Sequence, residues 1–130
     1  MKEATTQFGP TIPILRMCDE AKAREFYLGF LGFAVDWEHR FEPGFPLYMQ
    51  VSRGACPLHL SEHHGDCSPG AAVRIYVGDL DAFRGESIGR QYAYARPGID
   101  DMPWGTREMM VTDPFSNRLI FVDAKARARE

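Results

Sequence analysis

The chain has 130 residues, with 15 Lys and Arg against 18 Asp and Glu, and therefore a formal net charge of −3. Its composition, 45% hydrophobic and 25% charged, is that of a globular protein, since disorder needs fewer apolar residues and more net charge. The slight acidity argues against nucleic-acid binding, which usually requires a basic face. We therefore expect residues 1–130 to form a single domain with a substantial core and no nucleic-acid partner.

The cysteines and the lack of long apolar runs indicate the cellular compartment in which the protein is expected. Cys18, Cys56 and Cys67 are odd in number and lack metal-binding spacing, which favours reduced thiols. No apolar run approaches the roughly 18 residues of a membrane span, and the first residues lack the apolar segment of a signal peptide. We expect a cytoplasmic protein without a membrane partner.

The first half begins with residues 1–9, which we expect to be a loose arm. Residues 10–17 predict a strand, placed at a sheet edge by Pro13. Asp19 is a helix N-cap candidate, and apolar residues at helical spacing then predict a helix of about three turns that ends at Gly32. These apolar residues are Ala23, Phe26, Tyr27, Phe30 and Leu31.

Three strands are predicted next, at residues 33–40, 46–52 and 58–62, before a polar linker at 63–70. In the first of them Trp37 shares the parity of Phe33 and Val35, which favours the core for this ring. A solvent-facing strand end is favoured for His39.

The second half repeats this order. We predict a strand at 71–77, a helix capped by Asp79, a strand at 91–95 and a loop at 96–105. A hairpin follows, in which Asp113-Pro114 and Asn117 have the chemistry of a tight turn. The helix is indicated by Leu80, Phe83 and Ile88, the hairpin strands are Arg107–Thr112 and Arg118–Val122, and residues 125–130 form a charged tail.

The element order is thus β-α-β-β-β twice, over about residues 10–62 and 71–123. Each half offers a sheet too small to be stable alone, so the halves must share a core. We predict an α+β fold in which two such modules form curved sheets around a cleft, a natural place for a small-molecule ligand.

The motifs resemble those of the vicinal-oxygen-chelate superfamily, which comprises glyoxalases, bleomycin-resistance proteins and extradiol dioxygenases. The resemblance covers about residues 10–123. It rests on the repeat, on an Asp-capped helix ending Phe26-Tyr27-x(3)-Leu31-Gly32-Phe33, and on the Asp113-Pro114-x-x-Asn117 hairpin. Pro103-Trp104-Gly105 before Arg107-Glu108 looks most like the bleomycin-resistance branch. The chain departs from that pattern by inserting Thr106 and by placing Ser116 where glycine is usual.

Enzymes of this superfamily hold a divalent metal with His and Glu at four strand positions, two in each half. By register these positions fall near Ile12, His59, Ala72 and Ile120, and three of the four cannot ligate a metal. We therefore expect neither a metal nor another cofactor. His59-x-x-Glu62-His63 matches an inverted zinc-protease motif, but that motif requires a helix, and the segment is predicted to be a strand end.

Seven residues are candidates for ligand binding, and none is a candidate for catalysis. The resemblance implies that Trp104 lines a pocket, where its ring suits stacking. Glu108 offers a carboxylate to a cationic guest or, alternatively, forms a surface ion pair. The remaining candidates lie on the predicted strands of the first half or just beyond one of them, and they are Trp37, His39, Phe41, Tyr48 and His59.

The resemblance implies metal-independent binding of an aromatic or cationic compound, such as sequestration of a bleomycin-type antibiotic, by a homodimer. One alternative is a metal-dependent lyase, isomerase or dioxygenase of the glyoxalase type. Another is binding of an unrelated metabolite.

Overall fold

The computed structural model describes residues 6–124, which form two four-stranded sheets and two helical regions. The first half contains β1 (Ile14–Arg16), α1 (Glu20–Arg24), a π-helical segment (Glu25–Phe30), β2 (Ala34–His39), β3 (Tyr48–Arg53) and β4 (Cys56–Ser61). The second half contains β5 (Ala72–Val77), α2 (Leu80–Gly89), β6 (Ile99–Asp101), β7 (Arg107–Thr112) and β8 (Arg118–Asp123). The strand orders are β1-β4-β3-β2 and β5-β8-β7-β6, and this confirms the predicted α+β repeat.

Residues 1–5 of the predicted arm and the predicted tail at 125–130 lie outside the described residues, and residues 6–9 form neither helix nor strand. The predicted edge position of the first strand is confirmed, but β1 covers only residues 14–16 of the expected 10–17, and Pro13 precedes it. None of the helices within residues 6–124 is long and apolar enough to cross a membrane.

The first helical region begins and ends where the sequence predicts. The Asp19 carboxylate accepts a hydrogen bond from the Lys22 N–H at 3.0 Å, which caps α1. The Leu31 N–H then bonds to the Phe26 carbonyl five residues back, and this spacing defines the π-helical segment. Gly32 ends the region at φ +77°, where an added Cβ would lie 2.6 Å from Nη1 of Arg53. The positive φ is what favours glycine there, since the Arg53 guanidinium is the end of a flexible side chain and can shift.

One predicted strand is wrong. Residues 91–95 form turns, and the edge strand of the second sheet is β6, inside the predicted loop. Gln91 has φ +57°, which breaks extended geometry at the first residue of the predicted strand. The Tyr92 ring stacks on Phe30 with centroids 4.8 Å apart, so its burial comes from helix packing rather than from a sheet.

The two halves share one hydrophobic cluster, with Phe26 and Leu60 from the first half and Phe83 and Phe121 from the second. The predicted turn of the last hairpin joins the halves as well. The Asn117 side-chain amide donates to the Arg16 carbonyl at 2.8 Å. The hairpin at β7 and β8 thus closes the second sheet and ties it to the end of β1.

Candidate functional site

Each sheet has one face in the core and an opposite face that is less buried. In β4, Leu58 and Leu60 are buried while His59 between them is not, because successive strand residues point to opposite faces. In β7, Met110 is 52% exposed between two buried residues. These opposite faces carry the residues that the core does not use.

The second sheet holds a pocket of about 340 Å³, here called the Trp104 pocket. Its wall combines apolar side chains with one guanidinium and two carboxylates. The lining residues are Arg74, Asp100, Met102, Trp104, Glu108, Met110 and Ile120. The Trp104 ring is 54% exposed, so it lies in the wall of the pocket and outside the core.

Glu108 is buried and organises this pocket. Its Oε2 accepts hydrogen bonds from Thr106 Oγ1 at 2.6 Å and from Trp104 Nε1 at 3.1 Å, and it lies 3.2 Å from Nη2 of Arg74. Burial raises the pKa of Glu108, but the hydrogen bonds from Thr106, Trp104 and Arg74 together hold that pKa below its ordinary value. Of the two alternatives for Glu108, the surface ion pair is therefore wrong, because the carboxylate is buried and contacts both Trp104 and Arg74.

The inserted Thr106 has a local role in this arrangement. Its hydroxyl is fully engaged with Glu108, and its backbone carbonyl accepts from the Met102 N–H at 2.8 Å. Arg107 points to the other side of β7 and forms an ion pair with Asp81 of α2 at 2.9 Å. Arg107 and Glu108 thus lie on opposite faces of β7, as successive residues of a strand do.

The first sheet carries an aromatic cluster on its outer face, here called the Trp37 face and consisting of Trp37, Tyr48, Gln50 and His59. The core position favoured for Trp37 is wrong, since its ring is 43% exposed. The β2–β3 register shifts between Val35 and Trp37, so that Trp37 pairs with Gln50. This bulge inserts one residue and reverses the face on which the following side chains lie.

The rings of the Trp37 face are close to one another. Trp37 and Tyr48 are nearly parallel, at 8°, with centroids 5.9 Å apart. His59 is at a steep angle to both, with its centroid 5.2 Å from that of Trp37 and 5.1 Å from that of Tyr48. Two parallel rings and one upright ring therefore form this part of the surface.

His59 is held by hydrogen bonds on both ring nitrogens. Tyr48 Oη lies 2.6 Å from Nδ1, and Gln50 Oε1 lies 2.9 Å from Nε2. Burial lowers the pKa of His59, which favours the neutral ring. Burial also raises the pKa of Tyr48, assisted by Asp66 and Cys67.

His39 and Phe41 lie at the end of the same face. His39 pairs with Tyr48 in the β2–β3 register and is exposed, as predicted. Its ring centroid is 4.8 Å from that of Phe41, which is 72% exposed. Four of the five first-half candidates are therefore brought together on the first sheet, with Phe41 just beyond the end of β2. Glu108 lies on β7 of the second sheet and Trp104 in the loop before it.

A cavity of about 930 Å³ lies where the two sheets meet. It is lined by Ile12 and Pro57 from the first half and by Ala72, Arg74 and Tyr76 from the second. Arg74 lines this cavity and the Trp104 pocket alike. The sequence reasoning did not single out Arg74, although a lone charge within the apolar strand 71–77 signals a residue on the non-core face.

The metal positions of the superfamily do not fit a metal here. Three of the four carry aliphatic side chains, namely Ile12, Ala72 and Ile120, which offer no donor atom. Both nitrogens of His59 are already engaged. Within residues 6–124, no group of three or more His, Cys, Asp or Glu side chains is placed to hold a metal ion. The predicted strand for the His-x-x-Glu-His segment is confirmed by β4, which ends at Ser61.

The family model described as glyoxalase superfamily protein matches residues 2–128. The chain therefore belongs to the glyoxalase superfamily, as the motifs predicted. No curated protein gives a significant match.

Solved structures show the same fold at low sequence identity. A bleomycin-binding protein complexed with bleomycin is 21% identical, with a TM-score of 0.67, and the match covers 89% of this chain and 98% of that one. A bleomycin resistance determinant encoded on the transposon Tn5 is also 21% identical, with a TM-score of 0.70 and the same two coverages. TnmS3, an antibiotic binding protein from Streptomyces sp. CB03234, is 21% identical with a TM-score of 0.65, and the match covers 91% of this chain and 98% of that one.

Proposed function

We propose that this protein binds a small aromatic compound without a metal and sequesters it, in the manner of a bleomycin-resistance protein. The observation that carries this proposal is the anchored, half-exposed Trp104 indole in the wall of a pocket. Its N–H is held by the buried Glu108, so the ring is fixed before a ligand arrives. A pre-oriented ring loses little conformational entropy when a guest stacks on it.

Charge at the same pocket favours a cationic guest. The lining contains the carboxylates of Asp100 and Glu108 and the guanidinium of Arg74. Glu108 and Arg74 largely compensate each other, since they form an ion pair. Asp100 is exposed and adds a negative charge, which attracts cations by the local field.

A bulky antibiotic needs more surface than this pocket provides. Its volume of about 340 Å³ lies near the lower end of the range for ligand sites, which is roughly 300–1,000 Å³. We infer that the protein functions as a homodimer, in which a second chain enlarges the site. The free thiols Cys18, Cys56 and Cys67 are in keeping with a cytoplasmic location.

Fluorescence titration with metal-free bleomycin tests the proposal. In a Trp37→Phe background Trp104 is the only tryptophan, so quenching reports on its pocket. We expect saturable quenching with one ligand per chain. In the wild-type background, the Trp104→Ala variant should lose most of its affinity for bleomycin, as measured by calorimetry.

A flat titration of a folded protein contradicts antibiotic sequestration. The assignment then passes to an unrelated metabolite, for which a panel of aromatic cations and amines is the next probe. Circular dichroism of each variant establishes that the fold is retained.

A further inference from the structure

We propose that the Trp37 face is a second binding subsite, selective for planar rings that carry an N–H or O–H hydrogen-bond donor. The inference rests on the proposed function and deepens it, because it specifies the polarity of the guest. The evidence is a chain of hydrogen bonds that runs from Tyr48 through His59 and Gln50 to Asp36. The donor and the acceptor of each bond in this chain can be identified.

The direction is fixed at the carboxylate end of the chain. The Gln50 side-chain nitrogen donates to Oδ2 of Asp36 at 2.9 Å, and a carboxylate only accepts. The pKa of Asp36 is held below its ordinary value by its hydrogen bonds from Gln50 and Ser52, so the group is ionised at neutral pH. The orientation of the Gln50 amide is thus set, with Oε1 toward His59.

This orientation assigns the proton on His59. Gln50 Oε1 can only accept, so His59 Nε2, at 2.9 Å, carries the proton. In the neutral imidazole the other nitrogen, Nδ1, is then an acceptor. Tyr48 Oη therefore donates its proton to Nδ1 at 2.6 Å.

The Tyr48 hydroxyl therefore donates its only proton to His59 and has none left to donate to a guest. Its oxygen retains lone pairs, so toward a guest it acts as an acceptor. A chain of aligned hydrogen bonds that ends on a carboxylate polarises each member, which strengthens this acceptor. A guest with an N–H or O–H group satisfies it, and a guest with only lone pairs there is repelled.

The surrounding rings supply the stacking surface. Trp37 and Tyr48 are parallel within 8°, and Trp37 is 43% exposed. A flat aromatic guest can stack on the exposed Trp37 ring, because aromatic rings favour offset-stacked contact. His59 is upright at 74° to Trp37 and bounds the surface on one side.

The ionisable groups around the face are consistent with a donor guest. Asp36 on β2 terminates the chain, and Asp66 in the linker acts electrostatically on Tyr48. His39 on β2 pairs with Tyr48 in register, and Cys67 also acts electrostatically on Tyr48. The carboxylates of Asp36 and Asp66 favour a donor hydrogen atom over an acceptor lone pair.

Matched aromatic probes test the proposal by NMR at pH 7.5. Indole offers an N–H donor, while benzofuran has nearly the same shape and only an acceptor. We expect indole to shift the Trp37 and Tyr48 resonances saturably and to bind about 2- to 10-fold more tightly, as one net hydrogen bond implies. Long-range ¹⁵N spectra should show the His59 proton on Nε2.

Two variants separate the acceptor from the stacking surface. Tyr48→Phe should bind benzofuran as the wild type does and lose the preference for indole. Tyr94→Phe, which removes the same hydroxyl from a ring that is 80% exposed and lies outside both proposed sites, should leave that preference intact.

Three results would overturn the proposal: equal binding of the two probes, a proton on His59 Nδ1, or shifts that depend on protein concentration alone. The last would mean that a second copy of the chain covers the face. None of these results would change the bleomycin titration at Trp104. The second subsite and the proposed function can therefore be refuted independently.

Discussion

Tyr27 Oη donates a 2.6 Å hydrogen bond to Oδ2 of Asp113, across 86 positions of sequence. Both residues are buried. Asp113 also accepts from the backbone N–H groups of Phe115 and Asn117, each at 2.8 Å, and from the side chain of Asn117. One carboxylate thus forms the last hairpin turn and connects it to the helical region of the first half.

Removal of the Tyr27 hydroxyl should weaken this junction. Tyr27→Phe retains the ring and deprives a buried carboxylate of one donor, which costs about 1–3 kcal/mol in the free energy of unfolding. Urea denaturation measures the change. Tyr94→Phe is the matched control, because Tyr94 is 80% exposed and should be within experimental error of wild type. Equal stability of the two variants would contradict a role for the Tyr27–Asp113 bond.

The same bond predicts behaviour at high pH. Burial, then the charge of Asp113 and its hydrogen bond, raise the pKa of Tyr27 well above 10. Because the folded-state pKa is raised, this contribution to stability is complete below about pH 10, the ordinary pKa of tyrosine, and declines as the pH rises above it. Absorbance at 295 nm should show one of the five tyrosines ionising only as the chain unfolds. In Tyr27→Phe that late step should be absent.

Ser116 predicts a stabilising substitution. It has φ +72°, in the left-handed region that costs a non-glycine residue about 1–2 kcal/mol. Ser116→Gly removes that strain but adds flexibility to the unfolded chain, so we expect a net gain of up to about 1 kcal/mol. Thermal unfolding provides the measurement. Ala93→Gly, at an exposed turn position, should lower the stability of the protein instead. A loss of stability in Ser116→Gly would contradict the proposed backbone strain at Ser116.

Local signals in the sequence predicted most of the fold. Asp19 and Asp79 cap the two helices, Gly32 ends the first, and the Asp113–Asn117 turn forms the last hairpin, because each depends on a few neighbouring residues. The bulge before Trp37 was not predictable in this way. The bulge depends on how β2 pairs with β3, and the alternation of apolar and polar residues within β2 alone does not reveal that pairing.

The errors at the candidate site have a related origin. Trp104 lines a pocket in the structure, but the burial of Glu108 involves Arg74, 34 positions earlier in the chain. Such a pair is visible only once β5, β8 and β7 are placed side by side. Likewise, the strand expected at 91–95 failed because Tyr92 packs on Phe30 from the other half.

The Glu108 carboxylate should determine how firmly Trp104 is held. Glu108→Gln removes the charge that Arg74, Thr106 and the Trp104 N–H share and leaves a single neutral amide oxygen as acceptor, so the hold on the indole weakens. In the Trp37→Phe background we expect lower fluorescence anisotropy and stronger acrylamide quenching of Trp104. Affinity for bleomycin should fall by about 3- to 10-fold, the equivalent of one net hydrogen bond.

Asp100→Asn is the matched control for this prediction. It removes a carboxylate from the same pocket without touching the contacts of the indole described above. Its Trp104 anisotropy should equal that of the parent, while its affinity for a cationic guest should fall and become less dependent on salt. If Glu108→Gln leaves the anisotropy unchanged, or if Asp100→Asn lowers it equally, Glu108 is not the anchor of the ring.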